Sequence, residues 1–182
     1  VEETSFEKVS FEKMSGVRHE MALAKVNDIV DHLADLKHQV VVMAHHKDVV
    51  EGIKEGLEVV GRTVVTLTGD CNQAHRQSSI DTFQAGEADV FIGTIGAAGV
   101  GITLTKASHV VFAELDWVPG NMSQAEDRCH RIGQQDSVLV QHLVVDGSID
   151  ARMAEALVGK QKVLDKALDN VQMLDQTISI ND

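Results

Sequence analysis

Two arginines three residues apart, Arg128 and Arg131, lie in the string Gln124-Ala125-Glu126-Asp127-Arg128-Cys129-His130-Arg131-Ile132-Gly133-Gln134, with Gln124 four residues before the first. On a helix, residues three and four apart leave the same face, so both guanidiniums and the glutamine amide project together. Arginine stays charged, and its planar fork of N–H donors matches phosphate oxygens. Such a pair suits the charge that spreads over a γ-phosphate as it is transferred, which is arginine-finger chemistry. The ordinary alternative at this spacing is a solvated face or pairing with carboxylates. Asp127 could hold one guanidinium by a charge-assisted bond, and Gln124 could position Arg131 or reach a nucleotide.

A second candidate is the small-residue segment Gly93-Thr94-Ile95-Gly96-Ala97-Ala98-Gly99-Val100-Gly101-Ile102-Thr103-Leu104. It follows a predicted strand, where ligands gather at the carboxyl end of a parallel sheet, and its small residues let another backbone approach closely. It has neither the G-x-G-x-x-G register of a dinucleotide site nor a terminal Gly-Lys-Ser/Thr. A mobile turn is the bland alternative. Arg76 is equally a surface helix residue or a phosphate contact. His45-His46 are adjacent and have no Cys or His partners at ligand spacing, so no metal is expected. Cys129 has no marked base or oxyanion site, and His130 and Trp117 fit packing roles.

The elements that must position these groups alternate in type. Ala22, Leu23, Val26, Ile29, Val30, Leu33 and Leu36 recur at three- and four-residue steps, predicting an amphipathic helix from Arg18 to Lys37. Val40-Val41-Val42-Met43-Ala44 reads as a strand buried on both faces. Helix over 47–60 ending near Gly61, strand over 63–67, helix over 72–84 and strand over 89–92 follow. His109 to Ala113 forms a fourth strand, Met122 to Arg131 a helix, and Val138 to Val145 a fifth strand. Ser148 caps a last long helix with Asp150 in its first turn and Met153, Leu157, Leu164 and Leu168 on its apolar side. Strands joined by helix-length connections predict a three-layer α/β domain, with a mainly parallel sheet between two helical layers.

Composition narrows the function classes. A chain of 182 residues, 43% hydrophobic, builds one sizeable core. No stretch approaches the ~20 apolar residues that span a bilayer. The first residues lack the basic start and apolar core of a secretory signal. Two distant cysteines, Cys71 and Cys129, fit free thiols in a reducing compartment. A net charge of −12 argues against a surface that grips nucleic acid as a whole, and aromatics at 3% argue against a base-stacking platform. Any contact with DNA is therefore local and made to the backbone.

The string from Gln124 to Gln134 resembles motif VI of superfamily 2 helicases in its SWI/SNF-type form. Further segments match in order. Val41-Val42-Met43-Ala44-His45-His46 resembles motif IV, and Thr68-Gly69-Asp70 with Arg76 and Phe83 resembles the family's "G…R…F" stretch. The segment from Gly93 to Leu104 resembles motif V, and Glu114-Leu115-Asp116-Trp117-Val118-Pro119-Gly120 resembles the Asp/Trp/Pro element ahead of motif VI. The chain departs from the pattern at Ile95, Ala98 and Val118. The resemblance implies a RecA-like second motor lobe over residues 18–170, with an N-terminal extension over 1–17 and a tail over 171–182. It implies catalytic roles for Arg128 and Arg131, nucleotide contacts by Gln124, Gly99, Gly101 and Asp127, and contacts to the DNA backbone by Thr68, Gly69, Arg76, Thr94 and Thr103.

The sequence contains neither a phosphate-cradling loop with Lys and Ser/Thr nor an acidic metal motif after a strand. The family supplies these from a first RecA-like lobe, so the resemblance implies ATP and Mg²⁺ held mainly there, duplex or branched DNA as partner, and no ATP hydrolysis by this chain alone. The phrases around His45-His46 and Glu114-Leu115 look most like the annealing-helicase branch and its bacterial or phage relatives. A cytoplasmic or nucleoid location is expected, or a nucleus in a eukaryote. The competing reading is a non-catalytic RecA-like interaction module, for which an acidic surface would be convenient.

Overall fold

The structure, a computed structural model, describes residues 2–98, 104, 106–116, 121, 124, 138–156 and 158–159, with side chains from residue 13 onward. Five strands form one sheet: β1 (Val40–Ala44), β2 (Val64–Leu67), β3 (Val90–Thr94), β4 (His109–Phe112) and β5 (Leu139–His142). Their spatial order is β2-β3-β1-β4-β5, and every pairing is parallel. The three central strands are buried along their whole length, as an apolar run covered on both faces requires.

The two faces separate by the period-two alternation of strand side chains. Val41, Met43, Phe91, Val110 and Phe112 point to one side. There they pack with Phe83 of α4 (Gln73–Gln84), Ile95 and Ala98 of α5 (Ile95–Ala98), and Ala154 in the helix over 149–156. Val40, Val42, Val90, Ile92 and Val111 point to the other. That face is covered by Ile29, Val30 and Leu33 of α2 (Val26–Ala34) and by Val49, Val50, Ile53 and Leu57 of α3 (Lys47–Val59). The result is the expected three-layer arrangement. Helices α3 and α4 both stop in glycine-ended Schellman turns: Gly61 and Gly86 take φ of 82° and 80°. Arg62 N–H donates to Leu57 O, and Glu87 N–H to Thr82 O.

Two expectations need correction. The single helix from Arg18 to Lys37 is instead the end of α1 (Glu2–Ala24) followed by α2, with Lys25 between them. Lys25 sends its ammonium across the fold to the Leu143 carbonyl at 2.6 Å, a tertiary contact that helical periodicity cannot anticipate. The small-residue segment after β3 begins as the helical turn α5 rather than a loop, because Ile95 and Ala98 are drawn into the core. The predicted helix over 122–131 lies outside the described residues apart from position 124.

Strand order places a crevice at one edge of the sheet. β1 leads onward to β2 on one side of the sheet, and its neighbour β4 leads to β5 on the other. Connections from these adjacent strands diverge at their carboxyl ends, where a crevice opens in an open α/β sheet.

Candidate functional site

The rim at the carboxyl ends of the strands gathers most of the described candidates. Beyond β2, the turn at Thr68-Gly69 closes on itself. Cys71 N–H donates to the Thr68 carbonyl at 3.2 Å, and Thr68 N–H donates to Cys71 Sγ at 3.3 Å. Gly69 is exposed at its tip. Asn72 then caps α4, its Oδ1 accepting His75 N–H at 2.8 Å. Lys47, at the start of α3, pairs with Asp70 in the same turn.

Arg76 leaves the first turns of α4 and donates from Nη2 to the Ala97 carbonyl at 2.8 Å, in the last turn of α5. A cation at the carboxyl end of a helical turn is favourably placed. Thr94 ends β3 and is almost fully buried. Beside it, α5 sits so close to β3 that a Cβ on Gly93 would lie 2.9 Å from the Ala98 Cβ. This is the close backbone approach that the small residues of the segment permit. Gln124 is helical and exposed. Gly99, Gly101, Thr103, Asp127, Arg128 and Arg131 lie outside the described residues.

Between β1 and β4 the structure assembles a cluster that spacing alone did not single out. The buried Glu114 carboxylate follows β4 and accepts the backbone N–H groups of His45 and His46 on one oxygen, each at 2.8 Å. Its other oxygen accepts from His46 Nδ1 at 2.7 Å. The His46 ring stacks on His19 of α1 at 3.9 Å between centroids, and His19 Nε2 reaches Asp48 at 2.7 Å. Asp116 lies 3.9 Å from His45 Nδ1 and accepts from Asn121 Nδ2 at 3.1 Å. Arg18 donates to the Leu115 carbonyl at 2.6 Å and pairs with Asp150. Three successive residues, 114 to 116, are thus tied to α1, to the end of β1 and to the last described helix.

Electrostatics follow from this crowding. Burial pushes the Lys25 ammonium below its ordinary range, opposed by the charges of Asp150 and Glu114. Burial pushes the Asp48 carboxyl up, but the hydrogen bond and charge of His19, with the Val49 N–H, hold it below the ordinary carboxylate value. Among the described residues no group of three or more His, Cys, Asp or Glu is arranged to hold a metal ion.

The sequence matches the family described as "Helicase conserved C-terminal domain" over residues 23–133. A SWI/SNF-related matrix-associated actin-dependent regulator of chromatin subfamily A-like protein 1 from Xenopus tropicalis is 40% identical over 151 residues, 80% of this chain and 16% of the relative. The DNA annealing helicase and endonuclease ZRANB3 of Mus musculus is 36% identical over 153 residues, 81% of this chain and 14% of the relative. The chain therefore spans about a sixth of the length of these proteins. The C-terminal part of the Fun30 ATPase domain superposes with a TM-score of 0.62 at 27% identity, over 68% of this chain and 40% of that one. The C-terminal domain of the DEAD-box protein Dbp5 shares the fold, with a TM-score of 0.61 at 22% identity, over 74% of this chain and 77% of that one. With its RecA-like five-stranded sheet, the chain belongs to the helicase conserved C-terminal domain family, in the SWI/SNF-type group of superfamily 2.

Proposed function

We propose that this chain is the second motor lobe of an ATP-dependent DNA translocase or helicase, with Arg128 and Arg131 supplied as arginine fingers to ATP held mainly on a first lobe. The observation that carries this reading is the strand order. The crevice between β1 and β4 opens where residues 113–116 lead into the segment containing Gln124, Asp127, Arg128 and Arg131. Gln124, Asp127, Gly99 and Gly101 then face the nucleotide. Closure of the two lobes brings the guanidiniums against the β- and γ-phosphates, where they stabilise the charge of the transition state.

Thr68, Gly69, Arg76 and Thr103 are assigned to the DNA-facing rim, with Thr94, almost fully buried at the end of β3, assigned to it through its backbone or as a support beneath it. The exposed turn at Gly69 offers backbone N–H groups to a phosphate. Arg76, committed in part to Ala97, contributes by holding α5 in place. Repeated closing and opening while both lobes hold one strand moves the motor along duplex or branched DNA, in the cytoplasm, nucleoid or nucleus. The described residues offer no metal cluster, and Mg²⁺ is assigned with ATP to the first lobe.

The test is ATP hydrolysis by the full-length protein with and without duplex and fork-shaped DNA. Turnover that rises on adding either DNA is expected. Turnover that is absent or indifferent to both would leave the interaction-module reading in its place.

A further inference from the structure

The Glu114 carboxylate has no counterpart among the sequence candidates, yet it is among the most heavily bonded groups at the rim. It is 4% exposed and stands on the first residues after β4, facing the first residues after β1 across the crevice. Three donors converge on its two oxygens: two consecutive backbone N–H groups and one imidazole N–H, all within 2.8 Å. Charge-assisted bonds of this kind are short and strong, and losing the carboxylate would leave two N–H groups without their acceptor. The β1–β4 ladder pairs Val41, Val42 and Met43 with Val110, Val111 and Phe112, and the backbone N–H groups of Ala113 and Glu114 carry the join one step further to the Met43 carbonyl, so the Glu114 side chain adds the link that reaches His45 and His46 beyond β1.

We propose that Glu114 is a positioning residue for ATP hydrolysis: by locking the turn after β1 to the exit of β4, it fixes the direction in which the chain leaves toward Arg128 and Arg131. This rests on the motor-lobe reading above. The neighbouring bonds act on the same exit. Arg18 holds the Leu115 carbonyl and pairs with Asp150, while Asp116 accepts from Asn121. The stack of His46 on His19, itself held by Asp48, extends the lock to α1 and α3. Since arginine fingers act on the transition state, a displaced exit should lower kcat and leave ATP binding on the first lobe nearly unchanged.

The experiment uses the full-length protein and three variants, Glu114→Ala, Glu114→Asp and Glu114→Gln, in DNA-stimulated ATP hydrolysis. Misplacement by about an ångström predicts a kcat loss of about a hundredfold in Glu114→Ala with KM for ATP nearly unchanged. Glu114→Asp, one methylene too short to span both partners, should behave like Ala. Glu114→Gln keeps an oxygen for the two amides and an N–H₂ for the ring, and should recover to within about tenfold of wild type. Hydrogen-exchange mass spectrometry should show the His45 and His46 amides exchanging about ten- to a hundredfold faster in the Ala and Asp variants, with other strands unchanged.

A kcat that holds while KM rises, losses that track a global fall in melting temperature, or no recovery with Gln would overturn the proposal. If Glu114→Ala fails to fold, the comparison of Asp with Gln carries the same decision. If wild-type turnover is absent, the motor reading fails and the positioning role with it. Unaltered exchange at His45 and His46, with wild-type turnover intact, overturns the positioning role alone.

Discussion

His109 shows how much one side chain can report about this fold. It opens β4 at the opposite end of the sheet from the candidate site, and its Nε2 donates to Gln141 Oε1 at 2.6 Å on β5. Its Nδ1 must then accept, and it does so from His38 Nε2 at 2.9 Å. His32 of α2 reaches the same Gln141 oxygen at 3.2 Å. This chain is satisfied with every ring neutral, and a proton added between His38 and His109 forces a tautomer change. Burial holds His109 below its ordinary value of 6.5, the Gln141 bond only partly offsets this, and protonation of His38 or His32 would act in the same direction as burial. The unfolded chain therefore binds more protons below that value. Stability should be fully present above about pH 6.5 and decline as pH falls through and below it. Denaturant midpoints compared at about pH 7.5 and about pH 5.5 should fall on acidification. The slope should flatten in His109→Gln, and an equal slope in that variant would assign the loss to other groups.

At the scale of elements, burial decides which positions matter. Leu57 and Val59 are two residues apart on α3, yet Leu57 is fully buried against the sheet and Val59 is 87% exposed. Leu57→Ala should cost about 2–5 kcal/mol and Val59→Ala less than about 0.5 kcal/mol by chemical denaturation. Gly93→Ala tests the contact of β3 with α5 from the opposite direction, since an added methyl meets the Ala98 Cβ and the Phe91 ring. Overpacking of about 1–3 kcal/mol is predicted, and a neutral result would mean that α5 yields freely. The strands and helices around these positions were legible in the sequence because apolar runs and helical periodicity are local signals. The break at Lys25 and the helical turn of α5 were not, since each depends on a partner distant in the chain. In the sequence Glu114 is one residue of the Asp/Trp/Pro element, with nothing beside it to mark its role. Its partners lie 68 and 69 residues away, and only the adjacency of β1 and β4 brings them together.

At the scale of the whole molecule, charge and architecture constrain how the lobe works. A net charge of −12 works against a broad grip on nucleic acid, so the proposed DNA contact is assigned to the rim alone. Thr68, Gly69, Arg76 and Thr94 are distributed along the carboxyl ends of β2 and β3 and on α4. The proposed nucleotide-facing segment departs from β4. The two proposed functions would thus share one edge of a single sheet, so that nucleotide-driven closure would change the grip on DNA. Family membership and fold were legible because motif spacing is a sequence property. The proposed placement of the arginine pair against a phosphate was not, because it would form only between two lobes.

The most direct measurement is therefore steady-state ATP hydrolysis by the full-length protein in saturating duplex DNA, comparing wild type with Arg131→Ala alongside equilibrium ATP binding. Loss of a finger predicts a kcat lower by about a thousandfold or more, with ATP affinity little changed. A kcat that survives the substitution would contradict the assignment of Arg131 to the transition state and, with it, the central account of this lobe.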